Sequence, residues 1–412
     1  MREGWEIKKL SEIGKLYNGN SINENIKKDN YTDIEDGLPF IATKDISYES
    51  EIDYDNGVRI PFLEKSSFKI APPNTVLICA EGGSAGRKIG FTNQEVCFGN
   101  KLFALTISNN ITNRYIYYYY FSTSFQKQFL LQLAGIIGGV SMNKFKDIEI
   151  PIPPPPEQQH IVAILDKAFA AIDKAKANAE QNLKNAKELF ESYLQGVFES
   201  KGDDWEETCL KNEIELITGF AFKSKFYTAN ENDILLIRGD NIMQGDFRWI
   251  DAKRWDKEQY TLYSKYQLKE NDIVLAMDRP WVKAGLKCAK ISKNELPALL
   301  VQRTACLRAK KNISSTFLYL LIKSKTFTDY LLDIQTGIGV PHISGQQILD
   351  YTFYLPKIKT QQIIVQKLDV LSSETKKLET IYQKTIEDLE ELKKSILQKA
   401  FSGELTEKEV SV

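Results

Sequence analysis

Histidine is nearly absent: His160 and His342 stand far apart, with no cysteine or glutamate beside them at ligand spacing. That argues against a catalytic histidine and against a zinc site. The five cysteines (Cys79, Cys97, Cys209, Cys288 and Cys306) form no Cys-x-x-Cys pair, and several lie in apolar runs, as small buried hydrophobes do. They read as free thiols of a reducing cytosol. No apolar run approaches the roughly 18 residues of a membrane helix, and no signal peptide opens the chain, so a cytoplasmic protein with nothing in a membrane is expected. Net charge is lacking too, with 54 basic residues against 55 acidic ones, and so says nothing about partners. Its distribution says more. Residues 65–150 carry nine Lys/Arg against four Asp/Glu, and residues 207–356 carry 21 against 17, which leaves excesses of five and four. A mild basic excess of this kind is compatible with a polyanion, and with many enzymes as well.

Familiar catalytic patterns are also missing. EGGSAGRK (81–88) is Gly-rich, but a nucleotide P-loop needs G-x-x-x-x-G-K-S/T; the spacing is wrong and Ile89 stands where the hydroxyl belongs. APPN (71–74) is not the N/D-P-P-Y/F loop of amino-methyltransferases, because the acid or amide must precede the prolines. There is no nucleophile elbow and no clustered carboxylate motif. The expectation is a chain with no catalytic residue and no metal ligand of its own.

What the chain does have is duplication. QQHIVAILD (158–166) is answered by QQIIVQKLD (361–369), and SYLQGVF (192–198) by SILQKAF (395–401), both at an offset of 203 residues. Each copy carries an apolar seam in steps of four and three. The first runs through Ile161, Leu165, Ile172, Leu189 and Tyr193, with alanines between. The second runs through Ile364, Leu368, Leu371, Leu378, Leu389, Leu392 and Ile396. Such a seam over more than four heptads predicts a coiled-coil helix. The remainder repeats as well: Trp5, Leu10, Leu16 and Gly19 return as Trp205, Leu210, Leu216 and Gly219. The order is globule, long helix, globule, long helix.

Four segments follow: a globule at 1–150, a proline hinge and helix at 151–201, a second globule at 202–356, and a second helix with its tail at 357–412. Both globules read as mixed α/β. Short apolar runs such as TVLICA (75–80) and KLFALTI (101–107), set between Gly, Pro and Asn turns, predict strands. In globule two, strands are expected near 233–237, 272–277 and 303–309. Helices are expected over 113–134 and 315–334. The tyrosine run 117–120 invites a base-stacking reading, but consecutive aromatics on a helix must point partly inwards, and ordinary core explains them better. IPIPPPP (150–156) is expected to be neither helix nor inner strand, with the long helix starting at Glu157. Connectivity makes the two helices antiparallel, because the second starts near where the first stopped.

The alternating plan, PIPPPPEQQHIVAILD (151–166) and the closing SILQKAFSGEL (395–405) resemble the specificity subunits of type I restriction–modification enzymes, over essentially the whole chain. The resemblance implies two target-recognition domains, each reading half of a bipartite site on double-stranded DNA, held by an antiparallel spacer coil. It also implies methyltransferase subunits using S-adenosylmethionine, and restriction–translocase subunits using ATP and magnesium; those cofactors belong to the partners. A departure is the second hinge (354–359), where only Pro356 remains. A DNA enzyme in its own right and a coiled-coil scaffold for protein cargo stay open as alternatives. Base readout needs donors on loops that project from a rigid sheet. Positions polar or basic in both globules and beside a turn give the candidate DNA contacts. Arg87 and Lys88 are set against Arg279 and Lys283, and Asn100 and Lys101 against Gln302 and Arg303. Lys44 is set roughly against Arg238, and Ser141 and Asn143, after a Gly turn, against His342. A solvated hairpin, or strand caps in solvent, is the alternative for each.

Overall fold

The computed structural model describes residues 3–107, 111–134, 138–282, 285–335 and 341–409. Packing groups them into two compact units, one of residues 1–180 with 383–412 and one of residues 181–382.

In the first unit, strand-forming runs give a four-stranded antiparallel sheet in the order Gly14–Asn18, Leu102–Ile107, Val76–Cys79, Ile89–Phe91. A second sheet pairs Leu38–Ile41 in parallel with Val96–Phe98, flanked by Arg59–Ile60 and Ile70–Ala71. Glu6–Lys9 pairs with Glu149–Ile152 and so ties the globule's entry to its exit. The second unit repeats the plan. Its main sheet runs Ile214–Thr218, Thr304–Ala309, Ile273–Ala276, Cys288–Lys290. Ile234–Ile237 lies parallel to Ala298–Leu300, and Glu206–Cys209 pairs with Thr352–Leu355.

Each expected globule helix is broken once. Asn113–Tyr120 and Thr123–Leu131 are separate, as are Ser315–Lys323 and Lys325–Ile334. The cause is local: the hydroxyls of Ser122 and Ser324 accept from the amides of Phe125 and Phe327, which starts a new helix at each break. Tyr118, Tyr119 and Tyr120 are buried, and Phe401 of the second long helix stacks edge-on against Tyr115 and Tyr119. The tyrosine run is core.

The proline expectation needs correcting. The first long helix is Pro155–Glu199, so two prolines occupy its first turn, where no intrahelical amide is required. Pro151 lies within the strand Glu149–Ile152, in a sheet of only two strands that leaves its ring side free of a ladder. The second long helix is Ile358–Ser402. Within the first unit the two helices run antiparallel: Lys176 meets Glu390 at 2.8 Å and Asp173 meets Lys393 at 2.9 Å. Within the second, Leu194, Leu320 and Leu368 form a buried cluster with Phe190, Phe198, Ile364 and Val365 against it.

Ile161, Leu165, Ile172 and Leu368 are buried, and Ile364, Leu371, Leu389 and Ile396 are half-buried. Four seam positions are not: Leu189, Tyr193, Leu378 and Leu392 are 48%, 43%, 37% and 46% exposed. Leu194 and Leu397 are buried in their stead. A straight helix turns about 20° per heptad away from a 3.5-residue repeat, so a strict heptad walks off the contact face. Leu189 and Leu392 both lie 28 residues beyond the first seam position of their copies, where that drift has accumulated over four heptads. No helix of the described residues is long and apolar enough to cross a membrane.

Candidate nucleic-acid interface

Backbone hydrogen bonds show which loop positions correspond between the globules. Ala80 donates to the Lys101 carbonyl at 2.9 Å and accepts from Val140 at 2.9 Å; Met277 donates to Arg303 at 2.9 Å and accepts from Ile343 at 2.8 Å. Cys79 donates to Lys88 and Ala276 to Lys287; Gly82 donates to Gly138 and Arg279 to Pro341. Asn100 donates to Asn20 at 3.1 Å and Gln302 to Phe220 at 2.8 Å. Asn100–Lys101 and Gln302–Arg303 therefore occupy one address, on the turn that enters the strand next to the sheet's edge.

The other pairings shift. Lys88 corresponds to Lys287, and Arg279 to Gly82, so neither Arg87 nor Lys88 stands opposite Arg279. Ala80 to Lys88 spans eight positions and Met277 to Lys287 spans ten, and those two extra residues defeat any matching by spacing. Lys283 itself lies outside the described residues, as does Gly339. His342 corresponds to Gly139, whereas Ser141 corresponds to Ser344; both serine hydroxyls cap the short helix that follows. Arg238 stands where Ala42 does, because each backbone amide donates to the side-chain oxygen three residues on, of Asn241 and Asp45 respectively. Lys44 is then the counterpart of Asp240.

On globule one the candidates form one surface. Asn100 and Lys101 line two clefts at once. One, of about 670 Å³, also holds Glu81, Gly138, Gly139 and Ser141. The other, of about 290 Å³, holds Asn20, Lys27, Thr43 and Lys44. Lys88 donates to the Thr43 carbonyl at 3.1 Å, beside Lys44. Arg87 and Lys88 lie over the Tyr48 ring, at 4.9 and 5.3 Å from its centroid. Tyr48 is itself half exposed, and its hydroxyl reaches Ser84. Asn143 is exposed on the helix that Ser141 caps. Chemically this is a ridge of amide and cation donors with an aromatic face beside it, a set that suits phosphates and base edges.

On globule two, Arg303 contacts Asp278 at 2.9 Å and His342 contacts the other oxygen of the same carboxylate at 2.5 Å. Glu81 and Lys101, at 3.9 Å, are the equivalent couple on globule one. Arg238 pairs with Asp240 at 2.7 Å. Lys287 donates to the Gly239 carbonyl, as Lys88 does to Thr43. Burial holds the Lys287 ammonium below the usual lysine range, against the pull of Asp240. It therefore braces the loop from beneath. Among the described residues no group of three or more His, Cys, Asp or Glu could hold a metal ion.

Sequence reasoning missed Glu81, Asp278, Lys287 and Tyr48. The duplication admits the two acids, but a search for donors passes over them. Lys287 is hidden by the longer loop, and the position matching Tyr48 in globule two is Gln244, so the repeat shows no aromatic there.

The model of the type I restriction modification DNA specificity domain matches residues 2–184 and again 202–388. The specificity subunit of the type I restriction enzyme MjaVIII of Methanocaldococcus jannaschii is 24% identical over 99% of this chain and 95% of its own length. That of EcoKI of Escherichia coli K12 is 24% identical over 98% and 90%. That of EcoAI of Escherichia coli reaches 36% identity over 43% of this chain and 30% of its own. Among solved structures, the HsdS subunit from Thermoanaerobacter tengcongensis superposes with a TM-score of 0.62 at 18% identity, covering 98% of each chain. A chain from a study of complex assembly in the type I R-M system gives a TM-score of 0.76 at 16% identity, covering 98% of this chain and 99% of that one.

Proposed function

The chain belongs to the type I restriction modification DNA specificity family, and on that premise we propose how it reads its target. It is a non-catalytic subunit that recognises DNA sequence through two target-recognition domains. We take these as residues 1–150 and 202–356, each reading one half of a bipartite double-stranded site. The long helices set the spacing of the halves and dock methyltransferase subunits. Those subunits and the restriction–translocase subunits bring S-adenosylmethionine, ATP and magnesium.

The observation that carries the reading is the shared address of Asn100–Lys101 and Gln302–Arg303. An amide followed by a cation recurs on an exposed turn held by the same backbone bonds. Amides pair with adenine, and guanidinium or ammonium groups with guanine, through two bonds at once, and both cations also serve phosphate. Arg87, stacked on Tyr48, and Lys44 support a phosphate track along globule one.

The test is selection from a randomised duplex pool by the full-length chain, alone and with methyltransferase subunits, followed by salt titration. We expect a two-part selected sequence and a log affinity that falls linearly with log salt. Arg87→Ala should weaken all duplexes alike and lower the salt slope by about one. Binding without sequence preference under both conditions would overturn the reading.

A further inference from the structure

Seven non-glycine residues among those described have positive φ: Asp33, Ser50, Asn74, Asp251, Asn271, Arg279 and Arg303. Five are the short polar residues that tolerate this conformation by bonding to their own backbone. The two long side chains, Arg279 at 46° and Arg303 at 65°, both stand at Asp278: one follows it in sequence and the other pairs with it. At the position of Arg279 globule one uses Gly82, at 82°, where the conformation costs nothing. Backbone strain of this kind persists where surrounding contacts enforce it, and it gathers at functional sites.

Backbone bonds hold both arginines, Arg279 donating to Pro341 and Arg303 accepting from Met277, and Asp278 lies between them. Its side chain is 20% exposed, and its two oxygens are divided between Arg303 Nη1 and His342 Nδ1. The Arg303 side chain is 71% exposed. With Nη1 committed to the carboxylate, the Nε–Nη2 edge is the one left to address another planar pair of acceptors. Resting on the DNA-reading function proposed above, we propose that Asp278 is a positioning residue: braced by His342, it aims the Nε–Nη2 edge of Arg303 at the O6 and N7 of one guanine in the half-site of globule two. The equivalent couple on globule one, Glu81 with Lys101, presents a single ammonium at a looser 3.9 Å. An ammonium lacks the rigid planar fork that fixes both bonds at once, so the corresponding position of the other half-site should depend less on N7.

The experiment replaces each guanine of the selected duplex in turn by 7-deazaguanine, which removes N7 alone, and measures binding by the full chain with its methyltransferase partner. In wild type, one guanine in the half-site of globule two should lose roughly five- to 150-fold in affinity. Arg303→Ala should be indifferent to that same substitution, and Arg303→Lys, without the rigid fork, should restore only part of the penalty. Asp278→Asn should shrink the penalty at that guanine while leaving the salt slope and the other half-site unchanged. A merely structural Asp278 would instead lower the melting temperature and weaken all duplexes alike, which overturns the proposal. So does sequence-selective binding in which Arg303→Ala keeps every 7-deazaguanine penalty; being exposed, Arg303 can be removed without unfolding the domain. In both cases the DNA-reading function stands. Absence of any selected sequence with wild type overturns that function itself.

Discussion

Asp272 shows what a buried charge demands of its neighbours. Its carboxylate is 2% exposed and accepts from Arg308 Nε at 2.9 Å, from Arg308 Nη2 at 2.8 Å and from the Lys269 amide at 2.7 Å. Removing the guanidinium leaves a charge without its counter-ion, so Arg308→Ala should cost about 3–5 kcal/mol in urea denaturation. A cost below about 1 kcal/mol would mean that water replaces the guanidinium freely. The thiols make a second case. Burial pushes Cys97 up to about 11 and Cys288 up to about 12, and Cys79 and Cys306 are buried too. Only Cys209 is partly accessible. A thiol-reactive disulfide reagent at pH 8 should therefore label Cys209 alone in the folded chain and all five after denaturation. A second fast thiol would reveal local opening of a sheet. The buried cysteines were legible from their apolar runs, because inward-facing strand residues announce themselves by their neighbours. Asp272 was not, since the partner that makes its burial tolerable lies 36 positions away. The same blindness hid Asp278, whose partners come from the turn at Arg303 and the loop at His342.

At the scale of elements, the strands and long helices were readable because each has one buried period that repeats in a short window. Interruptions were not, since Ser122 and Ser324 look like ordinary helix-tolerated residues until their hydroxyls are seen capping the next segment. The seam was readable in kind and misread in phase. Extrapolating a 3.5-residue repeat over four heptads puts Leu189 and Leu392 inside, whereas Leu194 and Leu397 are the buried side chains. This makes a clean contrast for mutation. Leu368→Asp and Leu194→Asp should each bury an unpaired charge and cost several kcal/mol. Leu189→Asp and Leu392→Asp should cost about 1 kcal/mol or less, because nearly half of each side chain is already in water. Thermal denaturation of the four variants decides it. Equal losses at Leu189 and Leu194 would restore the strict heptad phase.

For the whole molecule, the duplication was legible because two motifs share one offset, and the family follows from it. What chain order does not reveal is which residues pack together: each long helix is divided, at 180/181 and at 382/383, between the two compact units. Matched positions along the coil therefore follow the antiparallel register and not the offset of 203. Asp173 faces Lys393 and Lys176 faces Glu390, so the index sum is 566 in both pairs (173 + 393 and 176 + 390). Segments 170–176 and 390–396 lie opposite each other by that sum, whereas 168–174 and 371–377, equivalent by repeat, do not. Deleting 170–176 with 390–396 removes one heptad from each helix, about 10 Å, and joins Phe169 to Ala177 and Leu389 to Leu397 with the register intact. On the proposal that the helices set the distance between half-sites, both halves should keep their bases while the unread spacer shortens by about three base pairs at 3.4 Å each. Deleting 170–176 alone throws the seam out of register and should cost stability without yielding a shorter spacer. Mapping the bases methylated by the chain reconstituted with the proposed methyltransferase subunits reads the spacer directly. A doubly deleted, folded variant that methylates the original spacing would show that the distance is set elsewhere.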